Sequence, residues 1–359
     1  MLREVRARTP HRAAIAGGPT DTPEVYNRIG GATLGFAIEP TATVTITPRY
    51  WDDENAFLRY SKSIEFPTVA AMGEDQPQRI IRSVAEFAGV EKGFELTSQS
   101  GTSYSKGGSG LGSSSVFTVT AVRAFLAASS EKFAADPLTT EEKIELAEIS
   151  YHIERRRLGQ TVGKQDHYTS IFGGLNFFEY QKGGTVQVTP INLSVENQVR
   201  IGDELHLFYV GGHRDAQTIL KGQAKVVGDK IDVLQKIKGL AYEARDRILS
   251  GEIDAIGDIL HRGWEQKKTL LGEISNEHID KIYRRALGRG ATGGRLVGAG
   301  AGGYLLVHIP PMNFRDVNTA LREEGAEHRR FAVNYVGSTL EIQQEGGALG
   351  SMLRPNRVT

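Results

Sequence analysis

Cysteine is missing from all 359 residues. Its absence excludes disulfides, thiolate metal sites and a cysteine nucleophile, and agrees with a reducing compartment. An excess of one charge is missing too, since 43 Lys and Arg stand against 43 Asp and Glu. With no net charge, the chain has no general attraction for nucleic acid or an anionic membrane. No apolar run approaches the roughly 20 residues of a membrane span. Residues 1–18 (MLREVRARTPHRAAIAGG) are basic but lack the apolar stretch of a secretory signal, so a cytoplasmic protein is expected. The phosphate loop G-x-x-x-x-G-K-[ST] and the metal helix His-Glu-x-x-His are absent as well.

Glycine, by contrast, is plentiful at 42 residues, and it is gathered into loops. The most informative of these is Lys106-Gly107-Gly108-Ser109-Gly110-Leu111-Gly112-Ser113-Ser114-Ser115. Its glycines let the backbone turn sharply and approach an anion closely. The run from Ser114 to Ala128 holds no Gly or Pro and reads as a helix. A glycine loop feeding a helix N-terminus aims N–H groups and the positive end of the helix dipole at one point, which suits a phosphate. A tight turn that binds nothing is the alternative, and three successive serines make it the weaker one. A nucleotide or another phosphate ester is therefore expected at Gly107–Ser115.

The length predicts two domains. Residues 31–49 alternate as two strands with a turn at Glu39-Pro40, 76–89 read as a helix and 93–98 as a strand. Thr139 and Glu142 have capping-box spacing at the head of a helix that runs to Leu158 and stops at Gly159. Strands follow near 185–190 and over 204–210. Long helices are expected at 214–250, 252–270 and 275–288, then a second glycine-dense loop at 290–303, a strand at 304–309 and a last strand within 332–343. The change from strand-rich to helix-rich sequence near 195–203 divides the chain into domains 1–198 and 199–359.

Two further motifs mislead. Gly298-Ala-Gly300-Ala-Gly302-Gly303 has the spacing of a dinucleotide fingerprint, but a strand follows it where that fingerprint needs a helix. His213-Arg214-Asp215 spells a protein-kinase triplet, yet position 220 is leucine and no Asp-Phe-Gly occurs. Among carboxylates, Glu154 precedes Arg155-Arg156-Arg157 and reads first as a solvated partner of Arg157. Asp166, two residues after Lys164 and followed by Gly173-Gly174, suits a turn residue or a catalytic carboxylate equally well. Arg12 and Asp21 flank the Gly17-Gly18 turn. They could bind a polyol and a phosphate, or Asp21 could cap the segment that Pro23 begins.

Taken together, Gly17–Asp21, Gly108–Ser115 and Gly298–Gly303 resemble, in order and separation, the three motifs of the GHMP kinases. The G-L-G-S-S of the second motif is the most specific. The resemblance covers most of the chain, and within the family it leans toward kinases of D-glycero-D-manno-heptose 7-phosphate. Ala16–Thr22 with Pro23, Gly163–Tyr168, Phe172–Asn176, Leu207–Gly211, Trp264–Lys268 and Ile274–Asn276 carry that likeness. It implies an α+β fold with a ribosomal-protein-S5-like N-terminal domain and a ferredoxin-like C-terminal domain. It also implies ATP and Mg2+ as cofactors and a small sugar or sugar phosphate as the partner molecule.

The resemblance assigns roles as well. Ser114 and Glu154 would bind Mg2+, Asp166 would take the sugar hydroxyl proton, and Arg12 would sit beside it and screen charge on the phosphoryl group. Gly107, Gly108, Ser109, Gly110, Leu111, Gly112, Ser113, Ser114 and Ser115 would wrap the ATP phosphates. Gly18, Thr20, Asp21, Gly174, Arg214 and Gly300 would line the sugar. Arg12, Lys106, Lys164 and Arg214 are candidates for gripping a second phosphate. Pro19, His167 and Ala301 depart from the heptose-kinase pattern, and Gly107-Gly108 replace a proline; none of these touches Ser114, Glu154 or Asp166. The implied reaction is phosphorylation of the anomeric hydroxyl of heptose 7-phosphate. Another acceptor (fucose, galactose or a uronic acid) and a catalytically silent sensor of ATP and sugar are the alternatives.

Overall fold

The first sheet is built on two long strands, β1 (Val5–Ala16) and β2 (Gly31–Pro48), whose burial changes character along their length. At the Val5 and Pro48 ends buried and accessible residues alternate, so one face meets solvent; from His11 onward β1 is buried on both faces. That doubly covered half is where the two parts of the molecule meet. The computed structural model describes residues 4–49, 56–59, 63–99, 110–212 and 216–342.

After α1 (Pro23–Ile29) and β2 come β3 (Ala56–Arg59), β4 (Ser63–Phe66), α2 (Gln76–Phe87), β5 (Phe94–Gln99), α3 (Ser113–Ser130), α4 (Thr140–His152), α5 (Gln165–Phe172), β6 (Leu175–Tyr180) and β7 (Val186–Pro190). The second part contains α6 (Val195–Glu204), β8 (Leu205–Tyr209), α7 (Ala216–Lys225), α8 (Ile231–Leu249), α9 (Ala255–Lys268), α10 (Glu277–Gly288), β9 (Gly293–Leu296), β10 (Tyr304–His308), α11 (Phe314–Glu323), β11 (Glu327–Arg329) and β12 (Thr339–Ile342). The first sheet has the order β12-β1-β2-β5-β3-β4, with β6 on the other half of β2 and β7 beyond it. The second has the order β11-β8-β10-β9, all antiparallel. With helices between β8 and β9 and α11 between β10 and β11, this is the split ferredoxin-like arrangement.

Apolar residues of α2, α3 and α4 fill the core on one face of the first sheet. A second core joins that sheet to α8, α9 and the second sheet through Ile15, Leu34, Ile256 and Leu260. Arg12 lies at this seam. Among the described residues no helix is long and apolar enough to cross a membrane.

Several expectations need correcting. Residues 31–48 form one strand rather than two: Pro10 pairs with Thr41 and His11 with Ile38, so Glu39 and Pro40 bulge out without ending the ladder. The helix expected over 214–250 is two helices, because Val226–Lys230 form a turn in which the amides of Asp229 and Lys230 both bond to the carbonyl of Val226. Gly228, a weak helix former, sits in that turn. The stretch 290–303 is not all loop, since β9 lies within it and pairs with β10. Residues near the expected domain boundary are helical (α6), with Ser194 accepting the Asn197 amide as the cap. The strand expected within 332–343 forms as β12, and it pairs with β1. Residues assigned to 199–359 therefore complete the first sheet.

Candidate active site

Arg12 projects from β1 into the seam and Asp166 stands in the first turn of α5. They form a bidentate pair, with Nε to Oδ1 and Nη2 to Oδ2 both 2.7 Å. The remaining guanidinium nitrogen, Nη1, donates to the Gly110 carbonyl at 2.7 Å. Planar fork geometry of this kind fixes a carboxylate in orientation as well as position. The Asp166 side chain keeps 22% of its surface accessible against 5% for Arg12, so the carboxylate is the exposed member of the pair.

The N-terminus of α3 abuts this pair. Its cap, Gly112, is left-handed (φ +77°), and a Cβ there would lie 3.2 Å from both Arg12 Nε and Asp166 Oδ2. Glycine is therefore favoured by the left-handed backbone, and a side chain there would press on the Arg12–Asp166 pair. The second and third glycine segments also touch: a Cβ on Gly110 would lie 2.5 Å from the Val297 carbonyl, and one on Gly298 would lie 2.5 Å from Gly110 Cα. Gly107, Gly108 and Ser109 fall outside the described residues, as do Lys106 and Arg214.

Glu154 does not face Arg157. The chain leaves α4 through a wider turn, with the Leu158 amide bonding to Ile153 and the Gln160 amide to Glu154; Glu154 itself, four residues after Ser150 and seven after Ala147, continues the buried face of α4. Arg157 instead pairs with Glu86, and Arg155 with Glu24. The buried Glu154 carboxylate accepts from Ser114 (2.8 Å), Ser115 (2.6 Å), Thr118 (3.1 Å) and the ring of His167 (2.9 Å). Burial pushes its pKa up, but His167, Ser115 and Ser114 together outweigh that, and the group lies below its ordinary value. Gln76 at the head of α2 adds a 3.0 Å hydrogen bond to Ser114 Oγ.

A hydroxyl and a carboxylate are hard oxygen donors of the kind Mg2+ prefers. Among the described residues no group of three or more His, Cys, Asp or Glu is placed to hold a metal. Such a sparse protein contribution is what Mg2+ shows when nucleotide phosphates and water complete its shell, so Ser114 and Glu154 fit it.

On the other side of the Arg12–Asp166 pair lies the Gly17–Asp21 turn. The Asp21 carboxylate is buried and accepts the Gln165 amide at 2.9 Å, so Asp21 attends the start of α5 and not the Pro23 helix. Burial raises its pKa to about 7; the Gln165 amide opposes this, and the charge of Asp166 adds to it. Thr20 Oγ1 donates to the Ala32 carbonyl and accepts its amide, which ties the turn to β2. Gln165 Nε2 reaches the Gly18 carbonyl at 3.3 Å.

Lys164 Nζ is held by both Glu148 oxygens (2.6 and 2.8 Å) and the Gly184 carbonyl rather than by Asp166. Gly174 lies past the C-terminal end of α5, its amide on the Asn334 carbonyl, at the opposite end of that helix from Asp166. Gly300 packs against the backbone of Ile274. Two buried cations near Arg12 were not anticipated: Arg295 on β9 and Lys267 on α9. Burial, and then the nearby Arg12, lowers the pKa of Arg295 to about 10. Burial, followed by Arg295 and Arg12, carries that of Lys267 well below its ordinary value. Lys267 lies in a helix that the sequence predicts and Arg295 in a stretch that it reads as loop, and only the Gly-Gly before Arg295 hinted at close packing there.

The family model described as the GHMP kinases N terminal domain matches residues 76–174, and that described as GHMP kinases C terminal matches residues 217–326. Together they cover more than half of the chain. It belongs to the GHMP kinases. This kinase is 28% identical over 337 residues to the D-glycero-alpha-D-manno-heptose 7-phosphate kinase of Campylobacter jejuni, spanning 90% of this chain and 94% of that protein. It is 25% identical to the galactokinase of Thermotoga neapolitana, over 94% of this chain and 98% of the other. A crystal structure of a D-glycero-D-manno-heptose 1-phosphate kinase from Bacteriodes thetaiotaomicron superposes with a TM-score of 0.75 at 23% identity, covering 94% of this chain and 98% of that one. The likeness extends the shared fold across both halves of the GHMP kinase. The protein is thus an ATP-dependent sugar kinase of two-domain GHMP architecture.

Proposed function

We propose that the protein transfers the γ-phosphoryl group of ATP to the anomeric hydroxyl of D-glycero-D-manno-heptose 7-phosphate, giving the 1,7-bisphosphate and ADP. The Arg12–Asp166 pair packed against Gly112 carries this reading. It sets a partly accessible carboxylate beside the helix end that would receive the phosphates, where an acceptor hydroxyl can meet the γ-phosphorus. The Campylobacter relative, matched nearly end to end, supports the heptose phosphate as acceptor.

In this reading the amides around Gly110–Ser115 cradle the triphosphate. Asp166 accepts the hydroxyl proton as the sugar oxygen bonds to phosphorus and the bridging oxygen departs with ADP. Arg12 holds Asp166 in place and faces the charge of the phosphoryl group. Mg2+, held by Ser114 and Glu154, would neutralise charge on the β- and γ-phosphates. Asp21, joined to Asp166 through the Gln165 amide, would bind a sugar hydroxyl. Most of the rate enhancement then comes from positioning and fixed electrostatics.

ADP release with ATP, Mg2+ and a panel of free and 7-phosphorylated sugars tests this, with phosphorus NMR to place the new phosphate. Release only with heptose 7-phosphate, at the anomeric carbon, is expected. Release only with unphosphorylated hexoses would overturn the acceptor in favour of a galactose-type sugar, the reading that the Thermotoga relative favours. Nucleotide binding without release for any sugar would support a sensor instead.

A further inference from the structure

Of the cations that the sequence offered for a second phosphate, the two within the described residues are engaged. Arg12 is held by Asp166 and the Gly110 carbonyl, and Lys164 by Glu148. Arg295 and Lys267 differ, because both are buried and neither has a carboxylate partner among the described residues. Arg295 Nη1 reaches only the Ile15 carbonyl, at 3.4 Å, while Nε is buried with no acceptor. Nη2 packs directly against Gly18: a Cβ at that position would stand 2.8 Å from it, so only a glycine lets the guanidinium tip come this close to the Gly17–Asp21 turn. Lys267 Nζ donates to the Gly298 carbonyl, directly behind the contact between Gly298 and Gly110.

A buried charge without a counter-charge is costly, and two side by side repel each other. An anion that arrives with a substrate relieves both. The Arg12–Asp166 pair touches Gly112 and the nucleotide helix on one side and, through Gln165, the Gly17–Asp21 turn on the other. Arg295 lies behind the turn, on the side of the acceptor. We propose that Arg295, seconded by Lys267, anchors the phosphate that the acceptor sugar already carries. A fork with unpaired donors matches a phosphate bidentately, which a lysine alone would not. This inference rests on the acceptor being a sugar phosphate, and it names the side chains that would tell such a sugar from a free one.

Steady-state kinetics of the wild type and Arg295→Met test it. The variant is expected to raise KM for the sugar phosphate on the order of 10- to 100-fold, with KM for ATP within about twofold and Arg295→Lys intermediate. An unchanged acceptor KM, or an equal rise in KM for ATP, would overturn it. Should Arg295→Met fail to fold, inorganic phosphate with the wild type decides: inhibition competitive with the sugar phosphate and not with ATP is expected, and competition with ATP alone overturns it. If the wild type phosphorylates no sugar phosphate, the functional reading fails separately. Calorimetric titration with inorganic phosphate still tests the subsite then, with binding expected in the wild type, weakened in Arg295→Lys and lost in Arg295→Met, and equal binding in all three counting against it.

Discussion

Asp166 and Arg12 meet through two bonds of 2.7 Å, so substitutions at either should have separable effects. Asp166→Asn keeps the shape but removes the proton acceptor. Turnover should fall by roughly 10²- to 10⁴-fold while nucleotide affinity, measured by fluorescence titration, stays near that of the wild type; full activity would mean that another carboxylate serves. Glu154 offers a second case. With four donors on its carboxylate, Glu154→Gln should weaken the Mg2+ dependence of ATP binding more than it weakens metal-free nucleotide binding. At position 167, where the chain departs from the heptose-kinase pattern, His167→Leu should act in the same direction and His167→Gln, which still donates, much less. From the sequence Glu154 looked like a surface partner of Arg157, because the neighbouring arginines outweighed its place seven residues after Ala147 and four after Ser150, on the buried face of the helix. The pairing of Asp166 with Arg12 spans 154 positions, beyond the reach of local reasoning, and only the resemblance to a family linked them. Arg295 and Lys267 had no such prompt, and burial without a counter-charge is visible only in three dimensions.

The elements were legible where their signals are local. The capping box at Thr139 and Glu142 forms in both directions, amide to side chain at 3.2 and 2.8 Å. Thr139→Ala should accordingly lower unfolding free energy by about 1 kcal/mol, measured by urea denaturation; no change would mean that packing alone fixes α4. The helices at 76–87 and 277–288 and the strands at 205–209 and 304–308 lie close to where periodicity placed them. Failures came where tertiary structure overrides a local rule. Pro40 reads as a turn, yet the ladder between β1 and β2 absorbs it as a bulge, with pairing resuming on both sides, Thr41 with Pro10 and Ile38 with His11. Gly293-Gly294 read as loop, yet they pair with His308 and Val307 because β10 needs a partner at that edge.

At the scale of the whole molecule, pH should act through Asp21. Its folded pKa of about 7 stands above the ordinary 3.8, so the folded state holds a proton that the unfolded chain releases. The associated stability is complete below about pH 4 and is lost as pH rises through about 7. Asp21→Asn should gain on the wild type across that window, by on the order of 4 kcal/mol at most above it. Thermal melts from pH 4 to 8 would show the difference, and a gap that stays constant with pH would count against it. The buried His11, with its pKa lowered to about 4 by burial, favours the folded state in the opposite direction, as pH rises. It is present in both proteins, so it cancels in the comparison.

Val5 pairs with Ile342 and Arg8 with Thr339, so β1 has β12 on one flank and β2 on the other. During synthesis this edge of the first sheet stays open while some three hundred further residues leave the ribosome. An unpaired edge is a template for another chain, which makes the nascent enzyme vulnerable to aggregation until β12 emerges. Shortening the chain before Thr339 would leave every proposed catalytic side chain present and the protein permanently in that vulnerable form.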